Sequence, residues 1–177
     1  MFHTAFNAFR DTGKPKIHRT DLPNAPNFWK DVSGHQHEAG FRVAMDTEYY
    51  DLERRGTFET VPTSSAGKAF IIPVRWVYTY KFDKNGYLTK YKARLVVRGD
   101  LQRHSIHEET YAATLAARTF RALCAIANHF DLEMYQYDAV NAFTNSNIDE
   151  EIFVRCPEGY LKEGHCLKLI KALYGLR

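Results

Sequence analysis

Between residues 70 and 98 the side chains alternate with a period of two, and Asp83-Lys84-Asn85-Gly86 interrupts the alternation midway. A period of two is the signature of a strand, and Asn-Gly between two such runs is a strong hairpin signal. Two long antiparallel strands are therefore predicted. With Asn85-Gly86 as a two-residue loop, Trp76, Tyr78, Tyr80 and Phe82 share one face with Tyr91, Ala93, Leu95 and Val97. The other face carries Arg75, Lys81, Lys90, Lys92, Arg94 and Arg98. The hairpin is thus aromatic on one side and basic on the other.

Before it, Phe41, Ala44, Met45, Tyr49 and Leu52 fall at helical spacing, and Gly56 supplies a stop. Residues 1–40 hold Pro15, Pro23 and Pro26 with scattered His and Asn and no sustained period. They are read as an irregular amino-terminal segment, with packing beginning after them. After the hairpin, Phe120, Leu123, Cys124, Ala127 and Phe130 describe a second helix, capped by Thr114 or Thr119. Glu133–Asp138 reads as a short strand, followed by a small helix-compatible stretch from Ala139 to Thr144. A strand at Ile152–Arg155, a turn at Pro157-Glu158-Gly159 and an apolar segment from Leu167 to Leu176 complete the pattern. The elements amount to an α+β chain, with one domain over residues 41–177.

Composition narrows the function classes without choosing one. Lys and Arg number 24 against 21 Asp and Glu, a net charge of +3 that says nothing by itself about a nucleic-acid partner. Placement of the charges has to carry that argument. Cys124, Cys156 and Cys166 are too few and too widely spaced for a disulfide framework, which favours a reduced, intracellular setting, cytoplasmic or nuclear. Cys156 and Cys166 flank a turn and could approach each other. No run approaches the ~18 apolar residues of a membrane span. The histidines His35, His37, His104 and His107 form no ligand constellation and are read as surface or loop residues.

Two features carry candidate chemistry. Lys90, Lys92, Arg94 and Arg98 recur every two or four residues, so their charges converge on one surface; such a row suits phosphate oxygens, and it equally suits a solvated antiparallel face. Asp138 follows a predicted strand and precedes Ala142-Phe143, a spacing that sets a carboxylate and an aromatic ring beside one substrate. A lone Asp in that place also serves as a helix cap.

Taken together in order, several segments resemble the reverse transcriptase domain of copia-type retrotransposons over most of residues 29–177. They are Gly56-Thr57-Phe58 with Val61-Pro62, Trp76-Val77 with Lys81, and Lys92-Ala93-Arg94-Leu95-Val96 with Arg98-Gly99 and Gln102. Thr110-Tyr111-Ala112, Arg121, Asp138 with Ala142-Phe143, and Leu169 with Leu173-Tyr174-Gly175-Leu176 follow. The form YDAVNAF at 137–143 looks most like fungal members.

The resemblance implies roles. The hairpin would form the fingers, with Lys81, Lys92, Arg94 and Arg98 approaching the triphosphate of the incoming nucleotide and the template. Asp138 would be the first metal-binding, catalytic carboxylate of the palm, for Mg²⁺, and Phe143 the aromatic residue that closes against the sugar 2′ position. The implied activity is RNA-directed DNA polymerisation on an RNA template and DNA primer from deoxynucleoside triphosphates. Two-metal phosphoryl transfer needs cations ~3.5–4 Å apart and hence further carboxylates. The family supplies them from a Tyr-x-Asp-Asp hairpin that would lie beyond Arg177, so this chain alone is expected to be inactive. Its partial palm sheet is expected to leave an edge open to self-association. A non-catalytic nucleic-acid-binding module and an inert remnant are the alternatives.

Overall fold

A computed structural model describes residues 16–102, 115–135 and 146–176. Helix α1 (Glu38–Arg54) buries Phe41, Met45, Tyr49 and Leu52, the stripe expected from their spacing. It begins three residues before Phe41, because the Glu38 carboxylate accepts from the Gly34 N–H at 2.9 Å and from Arg42 Nε at 2.8 Å. Gly56 ends it as expected: with φ +62 it turns the chain so that Thr57 N–H reaches the Leu52 carbonyl and its own N–H the Glu53 carbonyl.

Strands β2 (Val74–Phe82) and β3 (Leu88–Val97) form the predicted hairpin. Trp76 pairs with Leu95, Tyr78 with Ala93 and Tyr80 with Tyr91, the register anticipated from the sequence. The tip differs. Asp83 Oδ1 accepts from the backbone N–H of Asn85 and of Tyr87, both at 2.9 Å, and Gly86 N–H bonds the Asp83 carbonyl at 3.1 Å. The turn therefore spans Asp83 to Gly86, with Gly86 at φ +84, and a register shift between Lys81 and Phe82 restores the expected pairing. A side chain that collects two backbone N–H groups outweighs the tighter two-residue loop.

The aromatic face of the hairpin packs on α1. Phe41 lies within 5.5 Å, centroid to centroid, of Tyr78, Tyr80 and Tyr91. Gly40 makes that approach possible, since a Cβ there would stand 2.5 Å from ring carbons of Tyr91. Helix propensity alone would favour Gly40→Ala by about 1 kcal/mol. The expected outcome is the reverse, a lower urea midpoint for Gly40→Ala; a higher midpoint would mean that Tyr91 moves aside freely.

A second sheet has the order β1-β5-β4, all antiparallel, from β1 (Phe58–Pro62), β4 (Asn147–Arg155) and β5 (His165–Lys171). The apolar segment expected near the end of the chain is thus largely the central strand of this sheet. Ile72 bridges to Val154 and joins the approach to β2 onto β4. One core of Phe41, Leu52, Phe58, Trp76, Leu95, Val154, Leu167 and Leu173 runs between the sheets and α1. Trp76 Nε1 donates to the Glu158 carbonyl at 2.9 Å, and Tyr160 of the same turn stacks on Tyr49 at 4.1 Å.

Four expectations are corrected or bounded. Packing begins before residue 41, since Val32 is fully buried and Trp29 and Ala25 pack against the core. Helix α2 (Ala117–His129) is present, but its N-cap is Ala116 and Thr119 lies within the helix; Thr114 is outside the described residues. Residues Leu132–Tyr135 form no strand, and the remainder of the expected strand to Asp138 is outside the described residues. Along α2, Phe120, Leu123, Ile126 and Phe130 are each at least half exposed, and Ala127 is the residue buried. Among the described residues no helix is long and apolar enough to cross a membrane.

Candidate nucleotide and nucleic-acid interface

Alternation along β2 and β3 places Arg75, Lys81, Lys90, Lys92 and Arg94 on the face opposite the buried Trp76, Tyr78, Ala93 and Leu95. Lys81 stands directly across from Lys90, and Lys92 and Arg94 follow on the same side of β3. Like charges opposed in this way destabilise a sheet unless something anionic offsets them. Their field registers on Lys92: burial first, and then Arg94, Lys81 and Lys90, hold its ammonium below the ordinary lysine range, with Glu48 working against them.

Glu48 of α1 is coupled electrostatically to Lys92 and Arg94. Burial pushes its carboxyl up, while the Leu95 backbone hydrogen bond, Lys92 and Arg94 pull it down. One half-buried carboxylate thus faces several cations, and the face keeps an excess of positive charge suited to phosphate.

Arg94 is held differently from its neighbours. Its guanidinium carbon lies 5.5 Å from the centroid of the Tyr174 ring, and its Nε is buried without a hydrogen-bond partner. Tyr174 arrives from the segment after β5. Its carbonyl accepts from Val97 N–H at 2.7 Å, Leu173 beside it is buried, and Gly175 at φ +86 fits against the Val97 carbonyl where a Cβ would overlap. The sequence reading singled out Leu173-Tyr174-Gly175-Leu176 as a motif but gave Tyr174 no role. The glycine was the available signal: it marks a close backbone approach, which brings the preceding side chain onto the end of β3.

Of the other sequence candidates, Arg98 lies beyond the end of β3. Its guanidinium is paired with the Asp100 carboxylate through two bonds of 2.8 and 2.7 Å. Lys81, Lys92 and Arg94 are brought together; Arg98 follows β3, with its N–H on the Pro73 carbonyl at 2.9 Å and its guanidinium committed to Asp100. Asp138 and Phe143 are outside the described residues. His37, read from sequence as a loop residue, is partly buried against Tyr91, whose hydroxyl lies 3.0 Å from its Nδ1, and His35 is bonded to the Asn24 carbonyl at 3.0 Å. Both tie the amino-terminal segment to the hairpin and α1. Cys156 and Cys166 are free thiols that pack in separate apolar clusters, and burial first and then Cys156 push the Cys166 thiol up. Among the described residues no group of three or more His, Cys, Asp or Glu is placed to hold a metal ion.

Residues 56–177 match the family described as reverse transcriptase (RNA-dependent DNA polymerase), a stretch of more than half the chain. The chain belongs to this reverse transcriptase family. Its relatives place it with the copia-type retrotransposon Pol polyproteins. It is 33% identical over 156 residues to the retrovirus-related Pol polyprotein from transposon TNT 1-94 of Nicotiana tabacum, covering 86% of this chain and 12% of that protein. It is 30% identical over 141 residues to the corresponding polyproteins of transposons RE1 and RE2 of Arabidopsis thaliana, covering 77% of this chain and 10% of each. The chain therefore spans about a tenth of the length of these relatives. All three come from plants, so the expected leaning toward fungal members is not supported. No solved structure matches the chain.

Within the family match, the Trp76-Val77, Lys92-to-Val96 and Leu173-to-Leu176 motifs meet in space. Trp76 pairs with Leu95, and the Tyr174 carbonyl closes on Val97. Motifs separated by about eighty residues thus form one structure around Arg94.

Proposed function

We propose that the basic face of the β2–β3 hairpin takes phosphate groups of an RNA template, a DNA primer and an incoming deoxynucleoside triphosphate, as the fingers of an RNA-directed DNA polymerase. The observation that carries this reading is the convergence of Lys81, Lys90, Lys92 and Arg94 on one face, with Lys92 held below its ordinary range by burial first and then by its cationic neighbours. An arriving phosphate relieves that repulsion.

Asp138 remains in this reading the candidate catalytic carboxylate for Mg²⁺, and Phe143 the candidate contact to the sugar. What this chain's own residues contribute is binding and orientation. Lys92 and Lys81 act as point charges on phosphate, and Arg94 offers a planar fork that fixes direction as well as distance.

The test is a fluorescence anisotropy titration with a labelled oligo(rA)·oligo(dT) duplex at several salt concentrations. Arg94→Ala is expected to weaken binding and to lower the slope of log K against log salt by about one unit, as loss of one phosphate contact does. Its unfolding midpoint is expected to stay close to that of the unaltered chain. Salt-insensitive binding, or an unchanged Arg94→Ala titration, would overturn the proposal.

A further inference from the structure

The phosphate reading leaves unexplained how Arg94 keeps a definite orientation. The Nε of Arg94 is buried without an acceptor among the described residues. A long side chain without such restraints samples many rotamers, and each phosphate contact would then carry the entropy of ordering it. Besides the attraction of Glu48, a ring restrains Arg94: the Tyr174 face lies 5.5 Å from its guanidinium carbon.

That ring is itself fixed by the backbone. The Tyr174 carbonyl bonds Val97 N–H at 2.7 Å, Leu173 is anchored in the core at 1% exposure, and Gly175 admits the close approach to Val97. Val97 lies three residues from Arg94 on the same strand, so the element that carries the guanidinium also holds the segment that carries the ring. A guanidinium held over an electron-rich ring keeps its charge and its terminal N–H groups while losing rotational freedom.

We infer that Tyr174 is a positioning residue: through its ring face it pre-orients Arg94 for phosphate, without touching the ligand itself. The inference rests on the phosphate reading above and assigns a role to a motif that reading did not use. It also sets a requirement on position 174, which is electron density on a ring face and not the hydroxyl.

The test uses the full chain and the same labelled oligo(rA)·oligo(dT) duplex, with Tyr174→Phe, Tyr174→Leu and replacement of Tyr174 by pentafluorophenylalanine. Phenylalanine keeps the electron-rich face and is expected to bind within about twofold of the unaltered chain, whereas leucine and pentafluorophenylalanine are expected to weaken binding about three- to tenfold. Pentafluorophenylalanine preserves ring shape and reverses the charge of its face, so it decides the matter even where leucine loosens the segment. In an Arg94→Ala background the same replacements are expected to cost nothing further, because the interaction they remove is already gone. Pentafluorophenylalanine binding as tightly as phenylalanine, or full additivity with Arg94→Ala, would overturn the role of Tyr174 and leave the phosphate reading standing. An Arg94→Ala variant that binds normally would instead remove the phosphate reading, and this inference with it.

Discussion

Phe41→Ala is expected to lower stability by about 3–5 kcal/mol, read as a fall in the urea midpoint at unchanged slope. Phe41 is fully buried where α1 meets the hairpin, with ring centroids at 5.5 Å from Tyr78, 5.2 Å from Tyr80, 5.2 Å from Tyr91 and 5.5 Å from His35. Truncation removes the burial of a whole aromatic side chain and, with it, edge-on ring contacts each worth about 0.5–1.5 kcal/mol beyond area. The cavity left behind is walled by three aromatic residues of a paired hairpin, which have little room to collapse into it. Phe41→Leu, which retains most of the volume, is expected to lose clearly less. A loss below about 1 kcal/mol for Phe41→Ala would mean that α1 does not dock on the hairpin in this way.

Leu95→Ala is the second large effect, at about 2–5 kcal/mol. Leu95 is fully buried opposite Trp76, while its neighbour Arg94 belongs to the other face of the same strand. Because side chains alternate strictly, a register slip of one residue would exchange the two roles, leaving Arg94 inside and Leu95 in solvent. The pair therefore tests register and function together. Leu95→Ala is expected to shift the unfolding midpoint strongly, while Arg94→Ala shifts nucleic-acid binding and leaves the midpoint near its starting value. Finding the large stability loss at Arg94 and the binding loss at Leu95 would show the assignment of faces to be inverted.

These two positions also mark what was legible in the chain. The alternation around them determined the hairpin, both of its faces and its register, because a period of two is a local property that needs no partner to be read. The helical stripe from Phe41 to Leu52 and the Gly56 stop were legible for the same reason. Even the turn at Asp83-Gly86 was correctly located. Its geometry was not, since the two N–H groups gathered by the Asp83 carboxylate favour a wider turn with a compensating bulge.

The order of short motifs carried the family, and the match over residues 56–177 agrees with it. Of the candidate site, the row formed by Lys81, Lys92 and Arg94 followed from strand alternation alone. Arg98 is the residue after β3, and its guanidinium is taken up by the Asp100 carboxylate two residues away. Spacing by two carries no information about where a strand stops.

What only the tertiary structure decided lies at large sequence separation. Trp76 meets the Glu158 carbonyl 82 residues away, Val32 enters the core ahead of the first helix, and the segment around Leu167 becomes the central strand between β1 and β4. Tyr174 comes under Arg94 by the same kind of closure. None of these follows from periodicity, which fixes the face on which a side chain stands; the residue that meets it there is fixed by how distant apolar faces pack into a single core.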